Sequence, residues 1–206
     1  MKILFQGDSI TDAYRKPEEF NIGYQLGNGY AFLAAATLGS KYPDRGWQFI
    51  NRGISGNTIA ALAERWQEDA LDHAPDLLSL LIGVNDTLWG QAEGPERFLE
   101  TYEALLDAVQ SHKSETGILL LEPFLLEAGD IAPATREHLR IRQRGIARIA
   151  VERSIPLVPL QEIFDRACER APAAYWAFDG IHPTHAGAAL ISEAWLKAAE
   201  PLYVGR

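Results

Sequence analysis

The run LLSLLIG at residues 77–83 constrains the fold more than any other stretch of this chain. It follows Pro75-Asp76 and shows no alternation of apolar and polar side chains. A strand wetted on one face alternates, whereas a continuous apolar strand is covered on both faces, as in the centre of a parallel sheet. The segments KILFQ (2–6), WQFINR (47–52, stopped by Gly53), GILLLEP (117–123) and PLVPL (156–160) read as further strands. Helical spacing fills the intervals. YAFLAAATLG (30–39) predicts a helix with Gly39 near its end. IAALAERWQEDAL (59–71) places Ile59, Leu62, Ala63, Trp66 and Ala70 on one face, with Thr58 as N-cap. Residues 95–110 turn Phe98, Tyr102, Leu105, Leu106 and Val109 inward. Further helices are predicted over 134–153, 161–170 and 184–199, the last with Leu190, Ala194, Trp195 and Ala198 at helical spacing. Strands alternating with helices predict an α/β fold, a mostly parallel sheet with helices on both sides. A chain of 206 residues without a repeat or linker suits a single domain over 1–206.

In such folds chemistry gathers beyond the carboxyl ends of the strands. The first strand is followed by Gly7-Asp8-Ser9, the second by RGISGNT (52–58) and the third by GVND (83–86). DGIHP (179–183) precedes the last helix, which can bring it to the same rim if it packs beside the first strand. A serine hydroxyl is a weak nucleophile until a base takes its proton. An imidazole does this near neutral pH, and His182 is the candidate. Asp179, three residues earlier, can reach one ring nitrogen and fix the tautomer, leaving the other for Ser9. The natural donors for a developing oxyanion are the amides of Ser9 and Gly53 and the side-chain amide of Asn85. Glycine at 53 lets the backbone approach closely.

GDSIT at 7–11, Gly53 in NRGISGNT, GVND at 83–86 and DGIHP at 179–183 together resemble the four blocks of the SGNH (GDSL-type) esterase and lipase superfamily. They run in the family's order and spacing over nearly the whole chain. INRGISGNT, RWQED and SLLIGVND are particularly similar to the serine acetylxylan-esterase branch, whose members remove acetyl groups from xylan-derived sugars. The resemblance implies a three-layer α/β/α sandwich with a flavodoxin-like five-stranded parallel sheet. It implies a hydrolase without metal or cofactor, with Ser9 as nucleophile, Asp179 and His182 completing a triad, and Gly53 and Asn85 in the oxyanion hole. The expected substrate is a small acyl ester, above all acetyl on a carbohydrate, and the resemblance also implies a homo-oligomer. A short-chain carboxylesterase or thioesterase would use the same machinery. A non-catalytic sugar-binding protein on this fold would carry a degraded triad. The motif differs from the G-x-S-x-G elbow, because residue 11 is Thr.

A net charge of −9 with no basic cluster argues against nucleic acid and anionic membrane surfaces as partners. No apolar run approaches the ~18 residues of a membrane span. MKILFQ is too short for an export signal, so a cytoplasmic protein acting on short imported oligosaccharides is expected. The single cysteine, Cys168, excludes an internal disulfide and reads as an inert helix residue. Asp8 and Asp86 either orient the Ser9 loop or serve local turn chemistry. A carboxylate–imidazole metal site from Asp8, Asp12, Asp86, Asp179, His182 and His185 is the alternative. It leaves Ser9, Gly53 and Asn85 without a role. His185, inside the last helix, is not expected to be the base. The long connection 13–29 is a candidate specificity element. Trp89 and one of Tyr175, Trp176 and Phe178 would wall an acyl pocket or stack a sugar, with ordinary packing as the alternative.

Overall fold

The computed structural model of the chain describes residues 1–17, 24–88, 94–129, 131 and 133–204. Along the chain run β1 (Lys2–Gly7), α1 (Ser9–Asp12), α2 (Tyr30–Lys41), β2 (Gln48–Asn51), α3 (Ile59–Glu64), β3 (Leu77–Leu81), α4 (Val84–Leu88) and α5 (Pro95–His112). Then come β4 (Gly117–Leu121), α6 (Pro133–Glu152), β5 (Leu157–Val158), α7 (Leu160–Cys168), α8 (Ala173–Trp176) and α9 (His185–Tyr203). The five strands form one sheet in the order β2-β1-β3-β4-β5, and every pairing is parallel. β1 pairs Ile3 with Leu77 and Gly7 with Leu81. Because β1 has β2 on one side and β3 on the other, the strand order reverses there, and a crevice opens beyond the ends of β1 and β3.

All five residues of β3 and all five of β4 are buried, as the unbroken apolar runs require. Alternate residues feed two cores. Ile3, Phe5, Leu77, Leu81, Leu119 and Leu121 meet residues of α2, α7 and α9, among them Leu38, Phe164 and Trp195. Leu4, Leu78, Leu80, Ile118 and Leu120 meet residues of α3, α5 and α6, among them Leu62, Tyr102 and Ile146. The sheet is therefore the middle of three layers, and each fully buried Leu or Phe contributes about 1.5–3 kcal/mol. Trp195 lies wholly buried in the first core and donates its indole N–H to Ser79 Oγ at 2.9 Å, which satisfies the one polar side chain of β3.

One expectation is corrected. The helix over 59–71 is not continuous: α3 ends at Glu64, and Gln67–Leu71 forms a π-helical turn in which Asp72 N–H donates to the Gln67 carbonyl at 2.9 Å. Ile59, Leu62, Trp66 and Ala70 nevertheless stay buried. In α9, Ile191, Trp195, Ala199 and Tyr203 are buried, and Leu190, Ala194 and Ala198 pack partly buried against the same core. α2 runs to Lys41, with Gly39 near its end as expected. Cys168 closes α7 half-buried, and burial raises its thiol pKa, which disfavours a reactive thiolate.

Candidate active site

β1 ends on a conformation only glycine tolerates. Gly7 has φ +157°, and a Cβ there would lie 2.2 Å from the Leu81 carbonyl oxygen and 2.5 Å from Thr11 Oγ1. The chain then turns at once into α1. Asp8 caps it, its Oδ1 accepting Ile10 N–H at 3.0 Å and its carbonyl accepting Asp12 N–H at 2.8 Å. Ser9 is the first helical residue, so its N–H has no acceptor within the helix. Ala13 (φ 44°) and Tyr14 (φ 60°) end α1 in the left-handed region, at roughly 1–2 kcal/mol each.

The partners arrive from the other end of the chain. Residues 178–183 form a tight loop before α9, closed by a bridge between Ala177 and Pro183 and by Phe178 N–H on the His182 carbonyl at 3.2 Å. Asp179 sits inside it. Its Oδ1 accepts the N–H of Ile181 at 2.9 Å and of His182 at 2.8 Å, and its Oδ2 lies 2.6 Å from His182 Nδ1. Burial pushes this carboxyl up, but the bonds from the His182 backbone and ring and from the Ile181 amide outweigh it and hold it below the usual range. An ionised Asp179 accepts only, so Nδ1 carries the ring proton and Nε2 presents its lone pair. Ser9 Oγ lies 2.9 Å from that Nε2. The structure thus brings together Ser9, His182 and Asp179, which are 173 residues and three residues apart in sequence.

The expected oxyanion donors are partly engaged. Asn85 is the second residue of α4, and one of its amide N–H groups is held by the Asn57 carbonyl at 3.0 Å, which orients the other. Gly53 departs from expectation: its N–H donates to Asn51 Oδ1 at 2.9 Å, a side chain two residues upstream closing an Asx-type turn. As a hydrogen-bond donor to a ligand, this amide would have to be shared. The close approach that requires glycine at 53 is to α1, not only to a substrate. A Cβ there would meet Asp12 N at 2.5 Å and Thr11 C at 2.9 Å. Arg15 Nε holds the Gly53 carbonyl at 2.7 Å.

Asp8 and Asp86 both carry turn and capping chemistry, and the Asp8 cap starts α1 at Ser9. Asp86 Oδ1 accepts Ile59 N–H at 2.9 Å and ties α4 to the start of α3. Asp8 is fully buried, and its Oδ2 has no hydrogen-bond partner among the described residues. Burial, with Asp86 adding to it, pushes its carboxyl from the ordinary 3.8 up to about 7. A folded-state pKa above the unfolded one means that the native state holds a proton the unfolded chain has lost. Stability is therefore full below about pH 4 and declines as pH rises through about 7, by on the order of 4 kcal/mol. Asp8→Asn keeps an acceptor for Ile10 and cannot ionise. It is expected to melt roughly ten degrees above the wild type at pH 8.5 and within about a degree or two of it at pH 4. Equal Tm differences at the two pH values would refute the ionisation argument.

Ser9, Asp179 and His182 open onto a cavity of about 590 Å³ that is also lined by Tyr14, Tyr30 and Phe178. Neither Gly53 nor Asn85 is among its lining residues. Phe178 lies parallel to the His182 ring at 5.8 Å and 19° and is 61% exposed. Trp176 is corrected to a core residue. It is buried, donates its indole N–H to the Ala167 carbonyl at 3.1 Å and does not line the cavity. Tyr175 packs edge-on against it. Trp89 lies outside the described residues, as do 18–23 of the connection 13–29. Tyr14, within the connection 13–29 named as a candidate specificity element, lines the cavity and is 87% exposed, held there by left-handed backbone. His185 lines the cavity as the first residue of α9. The metal alternative finds no support: among the described residues, no group of three or more His, Cys, Asp or Glu could hold an ion. Nor, among them, is any helix long and apolar enough to cross a membrane.

Residues 5–190 match the model of the GDSL-like lipase/acylhydrolase family. The chain is 35% identical over 204 residues to an acetylxylan esterase from Geobacillus stearothermophilus, covering 95% of this chain and 92% of the relative. Its fold is similar to a crystal structure described as a GDSL-like lipase from Parabacteroides merdae (TM-score 0.92, 36% identity, 98% of this chain and 95% of that one). It is also similar to a mutant of an acetyl-xylooligosaccharide esterase from Geobacillus (TM-score 0.85, 32% identity, 96% and 93%).

Proposed function

The chain belongs to the GDSL-like lipase/acylhydrolase family and is a carboxylic-ester hydrolase, and on that premise we propose that it is a serine esterase removing acetyl groups from short acetylated carbohydrates. The observation that carries this reading is the relay from Ser9 Oγ to His182 Nε2 at 2.9 Å, backed by Asp179 on Nδ1 at 2.6 Å. As Ser9 Oγ attacks the ester carbonyl carbon, its proton passes to Nε2. The carbonyl oxygen becomes an alkoxide facing Ser9 N–H and the Asn85 amide, with Gly53 N–H shared from Asn51. The C–O bond to the sugar then breaks, and His182 returns the proton to the leaving alkoxide. Water, deprotonated by the same nitrogen, attacks the acetyl-Ser9 ester, and acetate leaves with Ser9 Oγ reprotonated.

Support for the acetyl and sugar halves comes from the relatives, one an acetylxylan esterase and one an acetyl-xylooligosaccharide esterase. The aromatic and polar lining of the cavity suits a saccharide. The test is a series of p-nitrophenyl esters from acetate to octanoate, beside acetate release from acetylated xylo-oligosaccharides. The reading expects kcat/KM to fall at least about tenfold from acetate to butyrate, and acetate to be released from the sugar. A preference for longer acyl chains would replace it with a longer-chain esterase, and hydrolysis of aryl acetates with the acetylated sugar untouched with a general short-chain esterase.

A further inference from the structure

The Arg65 guanidinium bonds two of the blocks of the site, the end of β1 and residues 52–57, and meets Asn85 of a third only through Asn57. Nη2 donates to the Gly7 carbonyl at 3.3 Å, at the end of β1 just before Asp8 and Ser9. Nη1 donates to the Arg52 carbonyl at 2.8 Å. Nε donates to Asn57 Oδ1 at 2.7 Å, and the Asn57 carbonyl holds the Asn85 amide. Nη1 is also bonded to Asp69 Oδ2 at 2.7 Å. Asp69 additionally takes an ion pair from Arg52.

The contact with Arg52 has a particular consequence. The Arg52 carbonyl and the Gly53 N–H belong to one trans peptide unit, in which the two groups point in opposite directions. Fixing the carbonyl fixes where the N–H aims. Asn51 Oδ1 meets that N–H from its far side, and Asn51 Nδ2 is anchored on the Thr11 carbonyl of α1 at 2.6 Å. One planar group therefore bonds the segments that carry the three expected oxyanion donors: Gly7, two residues before Ser9; Arg52, whose peptide unit holds the Gly53 N–H; and Asn57, whose carbonyl holds Asn85. Its side chain is only 15% exposed. The helix break corrected above falls at the same residue, since Arg65 leaves helical dihedrals (φ −110°, ψ 8°).

We propose that Arg65 is the positioning residue of the oxyanion hole, a single guanidinium that holds the ends of β1 and β2 and the Asn57–Asn85 link in register. The proposal rests on the oxyanion assignment made above. A lysine could keep the charge beside Asp69, but a single ammonium cannot span three acceptors fanned around a planar fork.

The test is Arg65→Lys, read by kcat, KM and the affinity of an arylboronic acid, which forms a tetrahedral adduct on an active serine. Positioning of the hole predicts kcat lower by roughly tenfold to a hundredfold and boronate affinity lower by a similar factor, with KM within about threefold. Val109→Ala, a core substitution on α5 away from the site, controls for lost stability and should leave kcat and boronate affinity unchanged. If Arg65→Lys does not fold, Asn57→Ala cuts the Nε arm alone and should move the same two quantities together by a smaller factor. Unchanged kcat and boronate affinity in whichever variant folds would overturn the proposal, as would a loss no larger than that of Val109→Ala. Ser9→Ala separates the two levels. If it abolishes hydrolysis and boronate binding while the Arg65 variant behaves as wild type, the Arg65 inference alone fails. If it retains both, the nucleophile assignment fails first.

Discussion

Ser9→Ala is expected to lower kcat for aryl acetate hydrolysis by about 10⁴–10⁶-fold while leaving the fold intact. The loss is large because the hydroxyl is the atom that becomes covalently bonded, and nothing beside it can take its place. The nearest hydroxyl on the same helix, Thr11, is fully buried and lies 3.1 Å from Tyr30 OH, away from the imidazole. The fold should survive because alanine is a good helix former and the cap of α1 is Asp8, not Ser9. Steady-state rates beside a thermal melt make the check. A variant with a tenth or more of the wild-type rate at unchanged Tm would remove Ser9 from the mechanism.

Asp179→Asn is expected to cost about 10⁴-fold in kcat with little change in KM. The carboxylate accepts from His182 Nδ1 and from the amides of Ile181 and His182. An asparagine that keeps its oxygen on those two backbone amides turns its NH₂ toward Nδ1. The ring then moves its proton to Nε2, the nitrogen that must accept from Ser9 Oγ, and the relay runs backwards. The lowered pKa of Asp179 has a matching sign. The stability its ionised form lends to the loop is present above the ordinary carboxylate range and is lost as pH falls through the depressed value. A kcat within tenfold of wild type would mean that Asp179 does not set the tautomer.

Much of this was legible in the sequence because it depends on local periodicity. The continuous apolar run at 77–83 announced a strand covered on both faces, and β3 is fully buried, as is its neighbour β4. The inward face of α5, Phe98 through Val109, is the buried face. Ser9, Asp179 and His182 could be named because each stands in a short block with its own turn signal. What the sequence concealed depends on contacts between elements. The engagement of the Gly53 amide by Asn51, the break at Arg65 with its four acceptors, and the burial of Trp176 against α7 follow from how loops meet after the sheet has formed. Periodicity carries no trace of that.

The central claim is that a hydroxyl at the end of β1 is activated by an imidazole from the far end of the chain. Treatment with a fluorophosphonate, followed by mapping of the modified peptide by mass spectrometry, tests it most directly. A single adduct on Ser9 is expected, absent in Ser9→Ala and formed orders of magnitude more slowly in His182→Ala. An adduct on another residue, or an active enzyme that stays unmodified, would contradict it.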